Sequence, residues 1–352
     1  MELKNKTILI ISNESWGDIW YSKHHWAYEL SKNNKVYFVN PPLKWEFTNI
    51  FKIKISIFNY SDTLKILNYH NILPLTRFSV FFKINELIIF KLLNNFFKNR
   101  NNLIFWSFDP YRLITPQKMD LLTSIYFIAD KYQISREKIL INNVENILSV
   151  SNELTKNIKN KPVLNISHGV SKIYSDNNIK TNSAILIGTL TDRIDYVLLL
   201  ELVKQIPETK FYLFGNKNIQ EEENLIVFKK IVEINNVDYL GAQKYSDIEP
   251  YMEKAKLGIA LYKTDRINNQ INSLKIIQYL SYGLYVVSTP FDSYKKAMKD
   301  GVLFLTSDKE KYIQKCKQIL ISESDKNKFN KRINFAEQFL YKNLIKKVEN
   351  FI

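Results

Sequence analysis

Short runs of consecutive apolar residues alternate along the chain with longer stretches in which apolar residues recur every three or four positions. The short runs predict strands that are buried on both faces, and the longer stretches predict amphipathic helices. The predicted strands are Thr7–Ser12, Lys35–Val39, Leu103–Ser107, Ser124–Ile128, Asn146–Val150, Val163–Ile166, Ser183–Ile187, Lys210–Phe214, Val237–Leu240, Leu257–Leu261, Tyr285–Ser288 and Val302–Leu305. Helices predicted between them include Ser22–Lys32, Tyr196–Lys204, Ser246–Lys254 and Ser273–Tyr282. This alternation is typical of an α/β protein whose parallel sheets are covered by helices.

The series of strands restarts near residue 183, after the polar and asparagine-rich segment 171–182. We therefore predict two tandem Rossmann-like, doubly wound domains over residues 1–170 and 171–334, with a C-terminal helix, 335–352, that packs back on the first domain. Ligands of such sheets bind beyond the carboxyl ends of the strands. Two facing domains would therefore form an interdomain cleft.

The composition is that of a folded protein. Of 352 residues, 45% are hydrophobic and 24% are charged, which excludes a disordered or collagen-like chain. The single cysteine, Cys316, cannot form an internal disulfide, so we expect a reducing, cytoplasmic compartment. The most lipophilic stretch, residues 78–97, is interrupted by Lys83, Glu86 and Lys91, and it therefore does not predict a transmembrane helix.

The formal net charge of +15 indicates a polyanionic partner. Residues 41–105 and residues 309–352 each carry a net +6, whereas the rest of the chain is nearly balanced. The first of these segments interleaves basic residues (Lys52, Lys54, Arg77, Lys83, Lys91, Lys98, Arg100) with aromatic ones (Trp45, Phe47, Phe51, Phe58, Phe81, Phe82, Phe90, Phe96, Phe97). Such a surface suits an anionic bilayer, and we expect a peripheral position on the inner face of the plasma membrane. No nucleic-acid recognition module is present, so no specific nucleic acid is expected. The plain alternative is a set of lysines on solvated helix faces.

Two motifs follow predicted strands and carry phosphate-binding chemistry. In the first, a strand ends at Gly188, a short loop carries Arg193, and a helix starts near Asp195. Glycine permits close backbone approach, a helix N-terminus offers free N–H groups, and arginine can hold phosphate oxygens through two hydrogen bonds. An ordinary strand–helix turn with a surface arginine is the alternative.

The second motif runs from Gln270 to Pro290, where a polar loop leads into a short helix and then a buried strand. Ser273 is expected at the N-cap of this helix and Gly283 at its C-terminal end. Lys275, in the first turn, could reach the same anion as Arg193. Gln278 lies about one and a half turns further along the helix.

This second motif resembles the donor-site signature of the retaining family 4 glycosyltransferases of the GT-B fold, which often reads Pro-Leu-Lys, two residues, Glu-Tyr-Leu-Ala, one residue, Gly-Pro-Val-Val. Other family landmarks are similar in order and spacing: Leu148–Leu154, Ile166–Val170, Gly188–Arg193, Phe211–Gly215 and Val237–Gly241. The resemblance is good over residues 103–290 and loose in the N-terminal quarter. It implies transfer of a hexosyl or deoxyhexosyl group from a nucleotide-diphosphate sugar to a glycan or lipid-linked acceptor, with retention of configuration, in the synthesis of a surface polysaccharide or glycolipid.

The resemblance also implies which residues bind the donor. No cofactor and no metal are expected, because the nucleotide sugar is a co-substrate and cationic side chains neutralise the leaving diphosphate. The diphosphate would be held by Gly188, Arg193, Ser273 and Lys275. The nucleoside would be held by Gly215, Tyr239, Leu240, Gly241 and Gln278.

Two positions depart from the family pattern. Gln270 and Gln278 stand where the family has glutamates, the first near the donor sugar and the second at the ribose. An amide still forms hydrogen bonds with hydroxyl groups but carries no negative charge. We expect this branch to tolerate the amides, and Gln270 remains a catalytic candidate.

The first domain is expected to hold the acceptor. The segment from Trp16 to Leu30 places aromatic residues and two adjacent histidines in a loop that enters a helix, and its end resembles the family's first helix. His25 is a catalytic candidate, and His24 and Trp16 are acceptor-side candidates; a capping or surface role is the alternative for the histidines. Asp109 could accept a proton or could belong to an Asp-Pro turn, and Asp130 is a further acceptor-side candidate.

Two other functions are compatible with this fold. A nucleotide-sugar 2-epimerase would normally bring more carboxylates and histidines than the motifs contain. A non-catalytic, sugar-nucleotide-binding partner subunit would explain the loss of both glutamates.

Overall fold

The computed structural model describes residues 1–48, 54–98, 102–132, 134–174, 180–264, 272–323 and 325–352. The chain folds into two compact units. The first unit comprises Met1–Ser167 together with Leu344–Ile352, and the second comprises His168–Asn343. Each unit has its own sheet and its own hydrophobic core. The predicted domain limits and the predicted cleft stay predictions.

The first unit is built on an eight-stranded sheet. Its strands are β1 (Thr7–Ile11), β2 (Lys35–Val39), β3 (Ser56–Asn59), β4 (Leu64–Asn68), β5 (Leu103–Ser107), β6 (Thr123–Ile128), β7 (Asn146–Ser149) and β8 (Val163–Asn165). Their order is β3-β4-β2-β1-β5-β6-β7-β8, and only the pairing of β3 with β4 is antiparallel among the described strands. Every residue of β1, β5 and β6 is buried, as expected for central strands that are covered on both faces.

Helices connect the parallel strands of this unit. They are α1 (Ser22–Ser31), α2 (Ser79–Phe96), α3 (Ser135–Asn143) and α4 (Asn152–Thr155). The core between α2 and the sheet includes Phe90, Leu93 and Phe97. Phe90 and Phe97 are 2% and 4% exposed, so these two residues of the predicted basic and aromatic surface belong instead to the core. Lys52, Phe51 and Arg100 of that surface lie outside the described residues.

The second unit is built on a six-stranded, parallel sheet. Its strands are β9 (Thr181–Ile187), β11 (Lys210–Phe214), β13 (Val237–Gly241), β14 (Ala255–Ala260), β15 (Tyr285–Ser288) and β16 (Phe304–Leu305). Their order is β13-β11-β9-β14-β15-β16. The order reverses at β9 and β14, which makes the carboxyl ends of these strands a topological switch point, where such sheets bind ligands. Two short strands, β10 (Leu190–Thr191) and β12 (Lys217–Asn218), pair with each other beside this edge.

The helices of the second unit alternate with its strands. They are α5 (Tyr196–Gln205), α6 (Glu222–Val232), α7 (Tyr245–Lys254), α8 (Leu274–Ser281), α9 (Lys295–Lys299), α10 (Lys309–Ile321) and α11 (Lys326–Glu337). A last helix, α12 (Tyr341–Phe351), begins in the second unit and continues into the first from Leu344 onward. No helix among the described residues is both long and apolar enough to span a bilayer.

The prediction of an α/β protein with two Rossmann-like sheets is confirmed. All twelve predicted strands are present, most of them within two residues of the predicted limits. The sequence did not predict β3, β4, β10 or β12. The first of these is fully exposed along its four residues, so it lacks the apolar run that marks a buried strand.

Candidate functional site

Two glycines bring the ends of β9 and β11 together in the second unit. Gly188 has a φ of +113° and Gly215 a φ of +138°, a region that favours glycine because it has no Cβ. A Cβ on Gly215 would lie 2.1 Å from the carbonyl oxygen of Gly188, so only glycine allows this backbone approach. The Gly188 amide donates a hydrogen bond to the Phe214 carbonyl at 2.9 Å. Both predicted glycines therefore shape the carboxyl edge of this sheet.

The two predicted cations converge on one aromatic residue, Tyr262, which lies just beyond the end of β14. The Lys275 ammonium donates a hydrogen bond of 2.6 Å to the Tyr262 hydroxyl, and the Arg193 guanidinium lies 5.9 Å from the centre of the Tyr262 ring. The aliphatic end of Lys275 lies over Gly188, where a Cβ would be 2.1 Å from the lysine Cε. These side chains come from three separate segments, and together they form a positively charged group beside Gly188.

Asp192 fixes the loop that carries Arg193. Its carboxylate accepts hydrogen bonds from the backbone amides of Gln220 and Glu221 and from the Asn224 side chain, at 2.8, 3.1 and 2.9 Å. The Asn224 hydrogen bond, ahead of the backbone ones, lowers the pKa of Asp192. Arg193 itself is exposed. The loop is therefore fixed in position, while the arginine side chain is accessible to a ligand.

The buried Tyr294 holds the backbone at the start of α8. Ser273 occupies the N-cap position as predicted, but its side chain makes no capping hydrogen bond. The buried Tyr294 hydroxyl donates to the carbonyl of Ser273 at 2.8 Å and also contacts the Asn272 side chain at 2.7 Å. The neighbouring His168 is buried, and burial lowers its pKa to about 4. Gln270 lies outside the described residues.

Three of the predicted nucleoside-binding residues, Tyr239, Leu240 and Gly241, form the end of β13. The Tyr239 hydroxyl donates a hydrogen bond to the carbonyl of Gly215 at 3.0 Å, which commits that hydroxyl to the protein. Gly241 has a φ of +67°, and a Cβ on it would meet no atom within 4 Å beyond its chain neighbours, so the space beside it is open. Leu240 and Gln278 are half-buried. This edge therefore offers an open surface next to the charged group at Gly188.

His24, at the start of α1 in the first unit, is a structural residue. It is fully buried, and its Nδ1 accepts a hydrogen bond from the Tyr21 amide at 3.1 Å. The proton must therefore be on Nε2, which donates to the carbonyl of Ser15 at 3.0 Å. Burial lowers the pKa of His24 to about 4. Since both ring nitrogens are used by the backbone, His24 holds the loop before α1, and its assignment to the acceptor side stays a prediction.

His25 and Trp16 belong to an aromatic cluster on the same loop. The His25 ring packs edge-on against Trp20, with centroids 5.3 Å apart. Trp16 packs against Trp20 at 5.2 Å and against Tyr60 at 5.0 Å. Burial lowers the pKa of His25 to about 4, so its imidazole is neutral at physiological pH. Both residues are half-buried and stay candidates for acceptor contact.

Asp109 is tied to a buried arginine that the sequence did not single out. One carboxylate oxygen accepts from the Tyr111 amide at 2.8 Å, and the other accepts from Arg112 Nε at 2.8 Å. Asp109 is 2% exposed. Asp109 and Arg112 therefore form a buried ion pair. The structure shows that Asp109 positions Arg112, and its catalytic role stays a prediction.

Asp130 and Lys23 lie at the same edge of the first sheet. Asp130 is exposed beyond β6 and stays an acceptor-side candidate. Lys23 hydrogen-bonds the Asn13 side chain. Burial lowers its pKa to about 8, although the nearby carboxylates of Glu14, Asp109 and Asp130 act in the opposite direction. Lys23 is thus a partly desolvated cation among carboxylates, which the sequence did not single out.

A cavity of about 340 Å³ opens beside these loops, wholly within the first unit. Arg112 and Arg136 line it together with the buried Glu86, whose pKa burial raises. The Arg136 guanidinium lies 3.8 Å from the centre of the Phe82 ring. Polar groups beside aromatic rings form the kind of surface that binds a sugar ring.

No cluster of three or more histidine, cysteine, aspartate or glutamate side chains suited to a metal ion occurs among the residues that the structure describes.

Comparison with known proteins relates part of the chain to a family. Residues 181–322 match the sequence profile of the family described as Glycosyl transferases group 1, and the chain has the GT-B fold of glycosyltransferases. Among curated proteins it is similar to the putative teichuronic acid biosynthesis glycosyltransferase TuaH of Bacillus subtilis, with 24% identity over 221 residues, or 57% of this chain and 55% of that protein. The match thus spans about half the length of that relative.

Solved structures of low sequence identity share the fold. Sucrose-phosphate synthase from Thermosynechococcus elongatus superposes with a TM-score of 0.70 at 11% identity, covering 98% of each chain. Anabaena HepE in complex with UDP and glucose superposes with a TM-score of 0.67 at 12% identity, covering 98% of this chain and 99% of that one. At such identities the likeness concerns the fold.

Proposed function

We propose that the protein is a glycosyltransferase that moves a sugar from a nucleotide-diphosphate donor to an acceptor, with retention of configuration. The observation that carries the proposal is the convergence of Arg193 and Lys275 on Tyr262 beside Gly188. A glycine backbone, an ammonium and a guanidinium are the groups that bind a diphosphate. The family match over residues 181–322 supports the same assignment.

The same cations would also serve the chemistry. Negative charge grows on the diphosphate as the bond from the sugar to its oxygen breaks, and fixed positive groups stabilise that charge in the transition state. Lys275 and Arg193 would supply this stabilisation without a metal. The Tyr262 hydroxyl, already 2.6 Å from the Lys275 ammonium, keeps that lysine extended over Gly188. We propose that the donor bound here is a nucleotide-diphosphate hexose or deoxyhexose.

The acceptor would bind at the carboxyl edge of the first sheet. The 340 Å³ cavity beside Arg112 and Arg136 and the aromatic cluster of Trp16, Trp20 and His25 support a glycan or the sugar of a lipid-linked acceptor. We propose that the protein works in the synthesis of a surface polysaccharide or glycolipid, in the cytoplasm at the inner face of the plasma membrane.

One observation favours a second candidate, a sugar-nucleotide-binding subunit without transfer activity. Gln278 stands where the family has a glutamate, and the half-buried amide on α8 carries no charge. Such a protein would bind the donor and leave it intact.

The test is to incubate the protein with UDP-, GDP- and dTDP-sugars and to measure nucleotide binding and nucleotide release. Arg193→Ala and Lys275→Ala should each weaken binding of the nucleoside diphosphate by about 1.5–3 kcal/mol, as expected for hydrogen bonds between charged groups. Lys204→Ala, which removes an exposed lysine at the end of α5, is the matched control and should change nothing. Unchanged affinity in both site variants would remove these residues from the donor site, and binding without release in the presence of a competent acceptor would favour the second candidate.

A further inference from the structure

A second, larger cavity opens at the opposite edge of the first sheet. It has a volume of about 860 Å³ and lies at the amino ends of β1, β2, β4 and β5, which are adjacent in the sheet. Of its ten lining residues four are lysines, four are asparagines and two are threonines, and none carries a carboxylate. We call this the amino-edge cavity and its four lysines, Lys4, Lys6, Lys32 and Lys35, the lysine cluster.

The floor of the amino-edge cavity is held by Asn34, which is 4% exposed. Its side-chain oxygen accepts from the Lys6 amide at 2.9 Å, and its NH₂ group donates to the carbonyls of Leu3 and Leu30 at 3.0 and 2.9 Å. The rim is closed by Asn102, whose side chain donates to the carbonyl of Asn5 at 2.8 Å. The backbone under the lysines is therefore fixed by the fold.

Three members of the lysine cluster have no ion-pair partner among the described residues. Only Lys32 of the four is paired within this part of the chain, with Glu29 at 2.7 Å. Lys4 and Lys35 are exposed and Lys6 is half-buried. Their side chains extend from separate positions of the backbone that Asn34 and Asn102 hold in place. Lysine side chains that line one concave space repel each other at low ionic strength. An anion with two or more charges relieves this repulsion.

The amino-edge cavity lies at the other edge of the first sheet from the acceptor-side residues described above. β1 has five residues, so its two ends are roughly 17 Å apart at about 3.3–3.4 Å per residue. Asn13, Asp109 and Asp130 follow the carboxyl ends of their strands, whereas the lysine cluster precedes or begins the strands.

We propose that the amino-edge cavity binds an anion that carries at least two phosphate groups. Charge selects the class, because the lining offers ammonium and amide donors and no anionic side chain. Lysine is a common phosphate ligand and binds it as a point charge, and four of the ten lining residues are lysines. The volume lies within the range of ligand sites and exceeds what a single phosphate would fill. A free oligophosphate and the phosphates of a lipid headgroup share this chemistry.

The experiment measures binding of inorganic tripolyphosphate by calorimetry, at low and at physiological salt, with the full chain. The Arg193→Ala/Lys275→Ala variant serves as the background, so that the proposed donor site does not contribute. Lys4→Gln/Lys6→Gln/Lys35→Gln in this background should weaken binding by about tenfold or more, since three charged hydrogen-bond donors are lost. The matched control is Lys131→Gln/Lys138→Gln/Lys159→Gln, which removes the same charge from exposed lysines of the same unit and should change the affinity less than about twofold.

A second measurement distinguishes a lipid headgroup from a soluble oligophosphate. Sedimentation with phosphatidylglycerol vesicles, compared between the two triple variants, reports whether the cavity takes lipid headgroups. A loss confined to the cavity variant identifies lipid, and a loss seen with tripolyphosphate alone identifies a soluble oligophosphate. Absence of tripolyphosphate binding, or equal loss in the control, overturns the proposal. The cavity variant without the background changes should bind nucleoside diphosphate normally, so that failure here does not bear on the donor site.

Discussion

At the scale of single residues, Gly188 is the most constrained position of the candidate donor site. Its φ of +113° is strained for any other residue, and a Cβ would displace Lys275 from above it. We expect Gly188→Ala to lower the free energy of unfolding by about 1–3 kcal/mol from the backbone conformation alone and to weaken nucleoside diphosphate binding by about tenfold or more through the displaced ammonium. Calorimetric titration and urea unfolding measure the two effects.

A second glycine provides the control for this prediction. Gly301 also has a positive φ, +67°, and the nearest atom to a Cβ placed there is Lys331 Nζ at 3.5 Å, away from the predicted site. Gly301→Ala should therefore destabilise the fold by about 1 kcal/mol and leave nucleotide affinity unchanged. If the two variants lost affinity equally, Gly188 would have only a conformational role.

Residues whose role depends on local backbone form could be predicted from the sequence, and residues whose role depends on distant partners could not. Gly188, Gly215 and Lys275 follow predicted strands or start a predicted helix, and the structure places the first and last of them in contact. His24 has the same local context as His25, yet it is fully buried with both nitrogens occupied. Tyr262 could be found only by noting that it follows a buried strand at the switch point, because its partner Lys275 is 13 residues away.

At the scale of elements, Arg112 joins the carboxyl ends of four strands in the first unit. Its guanidinium donates to the carbonyls of Ser12 and Val39 at 2.6 and 3.0 Å, to the Tyr69 hydroxyl at 2.9 Å and to Asp109 at 2.8 Å. These partners follow β1, β2, β4 and β5 or end them. Arg112 is 8% exposed. Its hydrogen bonds therefore replace the contacts with water that the guanidinium and its partners lost on burial.

Removing Arg112 should therefore destabilise the first unit strongly. Arg112→Leu leaves the buried Asp109 without its counter-charge, and we expect a loss of about 3–5 kcal/mol. Lys156→Ala, which breaks the exposed pair with Glu153, should cost about 1 kcal/mol or less. All five tryptophans lie in the first unit, so their fluorescence during urea unfolding reports on this unit. Equal midpoints for the two variants would contradict the role given to Arg112.

Strands could be predicted from the sequence where both of their faces are buried. Runs such as Thr7–Ile11 and Leu103–Ser107 are fully buried, and they are apolar because helices cover both sides of the sheet. The antiparallel β3 is exposed and lies at the edge, so its sequence carries no such signal. The Arg112 network was not predictable either, because its partners span 100 residues and meet only through the order of the strands.

At the scale of the whole molecule, part of the excess of positive charge lies on two surfaces of the first unit. One is the lysine cluster of the amino-edge cavity. The other is the exposed face of α2, where Val80, Ile84 and Leu87 are 65%, 37% and 56% exposed and lie beside the exposed Lys83 and Lys91. The spacing of three and four residues puts these side chains on one face of the helix. We call this the α2 face.

An apolar stripe flanked by lysines suits the interface of an anionic bilayer, and it preserves the membrane hypothesis after Phe90 and Phe97 proved to be core residues. We expect the protein to sediment with vesicles containing phosphatidylglycerol and much less with phosphatidylcholine alone. Lys83→Gln/Lys91→Gln should reduce the partition coefficient on anionic vesicles by about tenfold or more, at roughly 1 kcal/mol per lysine. The size of that loss depends on the lysines being close to the headgroups.

The apolar half of the α2 face is tested with a matched pair of variants. Val80→Ser/Leu87→Ser removes two exposed apolar side chains from the α2 face, whereas Val197→Ser/Ile226→Ser removes two of comparable exposure, 48% and 47%, from the second unit. The first should weaken binding to anionic vesicles because the buried apolar area is lost, and the second should not. Equal binding to neutral and anionic vesicles, or equal loss in both variants, would leave the charge of the first unit without a bilayer partner. A soluble anion at the amino-edge cavity would then be the partner that this charge attracts.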